Sequence, residues 1–251
     1  MRIVSLAPSN TEILYALGCG AQIVANTRYC DYPDDAKKKQ KVGGWLDIKE
    51  EQVKQMHPDV IMTSTFVQDK IVDHYQKLGI RVFHTDPKTL DDVYRSIFSI
   101  GELVSQRVRA ARFIEKMKTE FATIRSRTFK STKVKVYCEE WHDPPTVSGN
   151  WVPKIIEIAG GISLCPEGKV SYPVTAKEVE KFDPDCIILS LCGFGRKAKA
   201  DIVTKREGWE NLRAVREREV FVIDDSLLNR PGPRLVEGAK ELARIFGEVV
   251  K

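Results

Sequence analysis

A chain of 251 residues with 42% hydrophobic content is long enough for one large domain or two smaller ones with buried cores, and it is too apolar to be disordered. It contains no run of 18 apolar residues, so the sequence predicts no membrane insertion. The net charge of +5 is concentrated in residues 104–130, where eight Lys or Arg face two Glu. This pattern favours a solvated helix face over a nucleic-acid-binding surface.

The first residues run directly into an apolar segment, residues 3–7, which predicts a strand and not a signal peptide. We therefore expect a cytoplasmic protein as the sequence stands, or a periplasmic or cell-surface protein if a signal was removed. The cysteines form no CxxC pair, and several lie in apolar runs, which predicts buried reduced thiols. They are Cys19, Cys30, Cys138, Cys165, Cys186 and Cys192.

Strands alternate with helices through the first hundred residues. Pro8 ends the first strand, and residues 9–12 (SNTE) supply an N-cap residue and a glutamate three positions later, which predicts a capped helix. Residues 27–47 are irregular and rich in aromatics. The remaining pattern predicts strands at 22–26, 60–63 and 81–84 and helices at 49–56, 68–78 and about 90–103.

Residues 104–129 predict one long helix at the middle of the chain. Apolar residues recur there at steps of three and four, at Val104, Val108, Ala111, Ile114, Met117, Phe121 and Ile124. Such a helix would be about 35 to 40 Å long. It suits either a coiled-coil arm or a strut between two lobes, and its central position favours the strut.

The same alternation resumes after this helix. The pattern predicts strands at 133–138, 186–191 and 220–224 and helices at 151–158, 175–182 and from about 234 to 246, with irregular chain at 139–150 and a loop at 168–173. Residues 49–61 also resemble residues 175–187, an offset of 126 positions, and in each copy a short helix ends at Pro-Asp and leads into a buried strand.

The repeat predicts an α/β fold with two Rossmann-like lobes, each with a mainly parallel sheet. We expect an N-terminal lobe at 1–103, a connecting backbone helix at 104–129 and a C-terminal lobe at 130–251, with a ligand cleft between the lobes. Ligands bind outside the carboxyl ends of strands in such sheets. Aromatic residues follow the predicted strands at Tyr29, Tyr32, Trp45, Trp141, Tyr172 and Phe194.

Motifs for catalysis are sparse. The chain has no GxSxG, no GxxxxGK[ST] and no GxGxxG that opens a helix. Cys192, Cys138 and His142 remain as candidates for an enzyme or a metallochaperone, and His142 for a metal ligand. We expect no metal site otherwise.

Several segments together resemble the substrate-binding proteins of cobalamin and iron-siderophore ABC importers, and most of all the cobalamin-binding branch. In the first half they are residues 3–12 (IVSLAPSNTE), 29–33 (YCDYP), 42–45 (VGGW) and 58–61 (PDVI). In the second half they are residues 144–149 (PPTVSG), 159–161 (AGG), 172–175 (YPVT) and 230–234 (RPGPR).

The resemblance implies two lobes joined by one long backbone helix, with the ligand held between them. It also implies roles for particular residues. The implied ligand contacts are Tyr29, Trp45, Trp141, Tyr172 and Asp224 or Asp225, and Phe66 is a substitute for a family Trp at the position of Thr63. Phe194 joins this set from its position after a predicted strand. Glu51 and Glu178 match glutamates that dock onto the membrane permease.

We therefore predict a non-enzymatic binder of a corrinoid such as cobalamin, acting as an importer component or a cytosolic carrier. It would be a monomer, need no cofactor, and bind its chelate ligand and, through the two glutamates, an ABC importer permease. The alternatives are a binder of a siderophore or haem-type chelate, and a cytosolic metallochaperone or enzyme that uses Cys192 or His142.

Overall fold

The structure is a computed structural model that describes residues 1–129 and 131–250. Lys130, the last basic residue of the charged segment and the first residue of the predicted C-terminal lobe, lies outside the described residues, as does Lys251.

The chain divides into two compact units. The first unit contains residues 1–87 and 91–116, and the second contains residues 88–90 and the chain from Met117 onward. Each unit is an α/β structure built on one sheet, as the sequence predicts.

The sheet of the first unit has the order β3-β2-β1-β4-β5, and every neighbouring pair is parallel. Its strands are β1 Ile3–Ser5, β2 Ile23–Asn26, β3 Gln40–Lys41, β4 Val60–Ser64 and β5 Val82–Thr85. Its helices are α1 Pro8–Ala16, α2 Asp34–Lys37, α3 Glu50–Gln55 and α4 Asp69–Lys77. The central strands β1 and β4 are buried along their whole length, because helices cover both faces of a parallel sheet.

Two helices follow β5, α5 Leu90–Leu103 and α6 Arg107–Thr128. The predicted central helix therefore begins three residues later than expected, because Ser105 adopts a left-handed backbone with φ of 58° that separates α5 from α6. An added Cβ at Gly101 would lie 2.4 Å from the Cβ of Ala110, so the glycine allows the two helices to approach closely.

The buried side of α6 differs from the predicted stripe at two positions. Ala110, Ile114, Met117, Phe121 and Ile124 are buried, whereas Val108 exposes 65% of its surface and Ala111 is also exposed. The buried stripe thus runs through Ala110, the residue that packs against α5. The basic residues described along α6 are exposed, as expected for a solvated face.

The sheet of the second unit has the order β11-β10-β6-β7-β9, with β8 paired to β6. Its strands are β6 Val134–His142, β7 Pro145–Val147, β8 Gly161–Ser163, β9 Tyr172–Pro173, β10 Cys186–Leu189 and β11 Val220–Val222. Its further helices are α7 Val152–Ile158, α8 Ala176–Phe182, α9 Asp201–Thr204, α10 Arg213–Arg216 and α11 Leu235–Val249. The sheet is mainly parallel, with β7 antiparallel to both of its neighbours.

The internal repeat corresponds to equivalent elements of the two units. In the first unit α3 leads into β4, which lies between β1 and β5, and in the second α8 leads into β10, which lies between β6 and β11. Both strands are fully buried. The repeated sequence therefore encodes the helix that precedes a central strand of each sheet.

Candidate functional site

The first unit carries three of the predicted ligand-binding aromatics on loops at one edge of its sheet. Because its strands are all parallel, their carboxyl ends lie at the same edge. Tyr29 follows β2, Trp45 follows β3 and Phe66 follows β4. Tyr29 and Phe66 expose 43% and 46% of their surfaces, and Trp45 is partly buried. Aromatic faces in such a place suit a flat, partly apolar ligand.

Phe66 is the aromatic that the end of β4 presents. Thr63 is fully buried within the strand, and its hydroxyl lies 2.9 Å from Nδ1 of His84. The backbone N–H of Phe66 donates to Oδ1 of Asp86 at 3.1 Å, which ties the loop after β4 to the loop after β5.

Sequence reasoning missed Gln68, which connects three of these loops. Its Nε2 donates to the carbonyl oxygens of Leu6 at 3.1 Å and Trp45 at 2.9 Å, and its Oε1 accepts from the N–H of Ser64 at 2.9 Å. Gln68 is fully buried. One neutral amide thus holds the chain after β1, the loop of Trp45 and the end of β4 together, although nothing in the sequence distinguishes it from a surface glutamine.

An ion pair joins the loops of Tyr29 and Trp45. Nη2 of Arg28 donates to Oδ2 of Asp47 at 2.5 Å, and the guanidinium lies 5.4 Å from the centre of the Tyr29 ring. The hydrogen bond from Arg28 lowers the pKa of Asp47 below its usual range. The cation beside Tyr29 is therefore already compensated by a carboxylate.

In the second unit, the ring of His142 lies close to the rings of both Trp141 and Phe194. The His142 ring centre is 5.6 Å from that of Trp141 and 5.4 Å from that of Phe194, which it meets edge to face. Trp141 exposes 44% of its surface, and its Nε1 donates to the carbonyl of Asp143 at 2.8 Å. The end of β6 and the loop after β10 thus form one aromatic cluster.

A buried ion pair, also missed from the sequence, anchors this cluster. The guanidinium of Arg206 donates two hydrogen bonds of 2.7 Å to the carboxylate of Glu139, which is fully buried, and a third of 3.3 Å to the carbonyl of His142. The hydroxyl of Tyr137 also donates to Glu139 at 2.9 Å. Arg206 lies 4.4 Å over the ring of Trp209. These hydrogen bonds hold the carboxyl end of β6, from Glu139 to His142, in place.

Tyr172 lies on a strand and not on the loop that the sequence predicts. It pairs with Val147 of β7, which in turn pairs with Glu139 of β6, so Tyr172 lies level with Glu139 two strands away. The sequence predicted irregular chain and a loop at β7 and β9 because these two strands have only three and two residues and each contains a proline. Tyr172 is partly buried.

The acidic residues after β11 form local hydrogen bonds. Oδ1 of Asp225 accepts from the N–H of Gly195 at 2.8 Å, and Oδ2 accepts from the N–H of Gly193 at 3.1 Å. Oδ1 of Asp224 accepts from the N–H of Ser226 at 3.0 Å. The two glycines have φ of 80° and 55°, so Asp225 holds a turn that side chains with a Cβ would strain.

The candidate nucleophiles are poorly suited to chemistry. Burial raises the pKa of Cys192 to about 12, and its sulfur accepts from Nδ2 of Asn229 at 3.1 Å. Cys138 is fully buried, and burial raises its pKa to about 12 as well. A reactive cysteine needs a lowered pKa, because the thiolate is the nucleophile. Within residues 1–129 and 131–250, no group of three or more His, Cys, Asp or Glu side chains is arranged to hold a metal ion.

The two predicted docking glutamates differ in their surroundings. Glu51 lies in the first turn of α3 with a mostly exposed side chain, and Nζ of Lys54 is 3.4 Å from it. Glu178 accepts hydrogen bonds from the N–H and the hydroxyl of Thr175, at 2.7 and 2.8 Å, in a capping box. At the offset of 126 positions, Glu51 corresponds to Lys177 and not to Glu178.

Among the described residues, no helix has both the length and the apolar character that crossing a membrane requires.

Comparisons with known proteins agree with this architecture. The family model described as "Periplasmic binding protein" matches residues 3–227. The chain is similar to the uncharacterized ABC transporter substrate-binding lipoprotein YvrC of Bacillus subtilis, with 32% identity over 96% of this chain and 78% of that one. It is similar to the vitamin B12-binding protein of Yersinia pestis, with 27% identity over 99% of this chain and 87% of that one.

Among solved structures, the periplasmic heme-binding protein RhuT from Roseiflexus sp. RS-1 matches with a TM-score of 0.85 and 24% identity, over 100% of this chain and 99% of that one. This likeness supports the fold. The family match covers most of the chain, and the first relative is 32% identical to it over 96% of this chain and 78% of its own length. The chain therefore belongs to the periplasmic binding protein family.

Proposed function

We propose that this protein is the substrate-binding component of an ABC importer and that its ligand is a corrinoid such as cobalamin. Members of the family named above are substrate-binding proteins, which supports binding without catalysis. The observation that carries the ligand proposal is the set of partly exposed aromatics at the strand ends of both sheets, at Tyr29, Trp45, Phe66 and Trp141. A relative named as a vitamin B12-binding protein favours the corrinoid.

The aromatic faces supply the binding energy in this proposal. A corrin ring presents broad apolar faces with amides at its rim, so aromatic side chains and backbone groups suffice to hold it. Gln68 and the pair of Glu139 and Arg206 hold the loops that carry Trp45 and Trp141. Rigid loops lose little conformational freedom when the ligand binds, which favours affinity.

Calorimetric titration with cyanocobalamin tests the ligand. We expect binding by the wild-type protein and a loss of about tenfold in affinity for Trp141→Ala, since its exposed ring would lose its contact with the corrin. Phe129→Ala is a matched control, because Phe129 exposes 73% of its surface on the turn after α6. No heat at hundred-micromolar cyanocobalamin would contradict the corrinoid proposal.

A haem-type chelate is the second candidate. The solved heme-binding protein with the same fold supports it. His142 supports it as well, because its buried Nδ1 has no hydrogen-bond partner among the described residues. Titration with haem under the same conditions separates the two candidates, because an axial imidazole shifts the Soret band. A shift that disappears in His142→Phe would favour haem.

We propose that the permease contacts the first unit through Glu51, whose carboxylate is exposed, and the second through the first turn of α8 with Glu178. Charge reversal in Glu51→Lys should abolish uptake in cells while leaving ligand affinity unchanged, and unchanged uptake would refute this contact.

A monomer is expected in solution, which light scattering tests. We also propose that α6 connects the lobes as their backbone.

The relatives also bear on where the protein acts. The Bacillus relative is named as a lipoprotein and the solved structure as a periplasmic protein. We therefore propose an exported protein and not the cytoplasmic one that its first residues predicted. Fractionation of the source cells with an antibody against the protein checks this, and recovery from the cytosol would revive the carrier alternative.

A further inference from the structure

Lys169 lies against Tyr172 in the second unit. Its Nζ is 3.7 Å from the centre of the Tyr172 ring, which places the ammonium directly on the aromatic face. The lysine is exposed, and the tyrosine is partly buried on β9. A cation in this position is attracted by the negative face of the ring.

The backbone that carries Lys169 is held firmly. Its carbonyl accepts from the N–H of Asn150 at 2.6 Å, and the carbonyl of Asn150 accepts from the N–H of Gly168 at 2.9 Å. An added Cβ at Gly149 would lie 2.2 Å from the carbonyl oxygen of Lys169, so this glycine is needed for the close approach of the two segments. The hydroxyl of Ser171 donates to Oε2 of Glu140 at 2.7 Å. Lys169 is therefore presented from a fixed point beside Tyr172.

The charge of Lys169 is not compensated as that of Arg28 is. Arg28 also lies over a tyrosine, but Asp47 pairs with it at 2.5 Å. Across residues 1–129 and 131–250, no carboxylate lies within ion-pair distance of Nζ of Lys169. The charge of Lys169 acts on Glu178, whose carboxylate is bonded to Thr175.

We propose that Lys169 and Tyr172 form a subsite for an anionic substituent of the bound chelate, a carboxylate or a phosphate. A flat ligand that stacks on Tyr172 takes the place of the ammonium on the ring face. The displaced ammonium then lies at the rim of the ligand, where a carboxylate or phosphate oxygen gives it a stronger partner than the ring. A ligand with only neutral amides at that position leaves the ammonium with water. This inference rests on the proposed function and adds the charge class of the ligand.

Two corrinoids with the same ring but different charge test the subsite. Dicyanocobinamide carries neutral amides, and dicyanocobyrinic acid carries carboxylates at the same positions. For Lys169→Gln we expect the affinity for the acid to fall about fivefold and that for cobinamide to change less than twofold, the size typical of one solvent-accessible ion pair. Raising the salt concentration should lower the affinity for dicyanocobyrinic acid more in the wild type than in Lys169→Gln.

Lys177→Gln is the matched control, because Lys177 is an exposed lysine in the first turn of α8. It should leave both affinities unchanged. Tyr172→Leu should weaken both probes, since both stack on the ring. Equal effects of Lys169→Gln on the two probes, or no effect on either, would overturn the subsite.

If the wild-type protein binds neither corrinoid, the corrinoid proposal fails and the subsite is tested with mesohaem and its dimethyl ester. Lys169→Gln should then weaken mesohaem alone. Equal effects on acid and ester, or no binding of either, would overturn the subsite. Circular dichroism of Lys169→Gln should match the wild type, which separates lost binding from lost folding.

Discussion

In the first unit the loops at the carboxyl edge of the sheet are tied together by the neutral amide of Gln68, whereas in the second unit the ion pair of Glu139 and Arg206 fixes the end of β6. Both connections are buried, and both hold a segment with a predicted ligand-binding tryptophan, Trp45 or Trp141.

The difference between the two connections predicts different sensitivity to substitution. Removing a buried amide costs stability through the hydrogen bonds that are lost. Removing the cation of a buried ion pair costs more, because the carboxylate is left as an uncompensated charge. The two units thus reach a similar edge architecture with unequal dependence on a single residue. A single substitution at its buried connection should therefore lower the free energy of unfolding more in the second unit than in the first.

The largest effect is expected for Arg206→Met. The variant leaves Glu139 charged and buried, which should lower the free energy of unfolding of the second unit by about 3–5 kcal/mol. Urea unfolding combined with hydrogen exchange of peptides from β6 and β10 measures this loss. Lys205→Met is the matched control, because the neighbouring bridge from Lys205 to Asp201 is largely exposed, and it should change stability by less than about 1 kcal/mol.

A second substitution shows whether the unpaired charge is the cause. Combining Arg206→Met with Glu139→Gln removes that charge, so the double variant should recover part of the loss. If it remains as unstable as Arg206→Met alone, the packing of Arg206 on Trp209 would be the dominant contribution instead.

A smaller effect is expected for Gln68→Met in the first unit. The variant removes two donated bonds and one accepted bond but leaves no charge buried, so the loss should be about 2 kcal/mol. Hydrogen exchange should accelerate in the loop of Trp45 more than in the strands. Gln76→Met on exposed α4 surface is the control. A loss as large as that of Arg206→Met would remove the contrast between the two units.

The alternation of strands and helices and the repeat were readable from the sequence because they depend on local periodicity. The repeated segments, residues 49–61 and 175–187, both proved to be a short helix and a central strand. The capping signal at residues 9–12 was wrong. The helix starts at Pro8 without a side-chain cap, and Asn10 and Thr11 are buried, with Asn10 donating to the carbonyl of Thr63 at 2.9 Å.

The connections at the candidate site were not readable because their partners are far apart in the sequence. Arg206 and Glu139 are 67 positions apart, and Gln68 and Leu6 are 62 apart. The positions of Tyr29 after β2 and Phe66 after β4 were predictable, since the residues of those strands specify them locally. Trp45 follows β3 and Tyr172 lies on β9, two short strands that the sequence did not predict. Asp225 was placed correctly after β11, but its bonds to Gly193 and Gly195 depend on a turn that periodicity does not describe.

The smallest effect concerns the repeated helices and their pH dependence. Hydrogen bonds from the backbone and side chain of Thr175 lower the pKa of Glu178 from its ordinary value of 4.5, so the charged form stabilises the folded state. This contribution is complete above the unfolded pKa and is lost as the pH falls through the lower, folded value. Glu178→Gln should therefore melt at a slightly lower temperature than the wild type at pH 7, and the difference should shrink between about pH 5 and about pH 3.

The equivalent helix of the first unit provides the control for this measurement. Within residues 1–129 and 131–250, no side chain caps α3 at Lys49, and the ion-pair partner of Glu51 in its first turn is the exposed Lys54. Glu51→Gln should therefore produce a smaller change in melting temperature at pH 7 than Glu178→Gln. An equal and equally pH-dependent change in both variants would show that the helix dipole and not the capping box accounts for the effect, because both glutamates lie in the first turn.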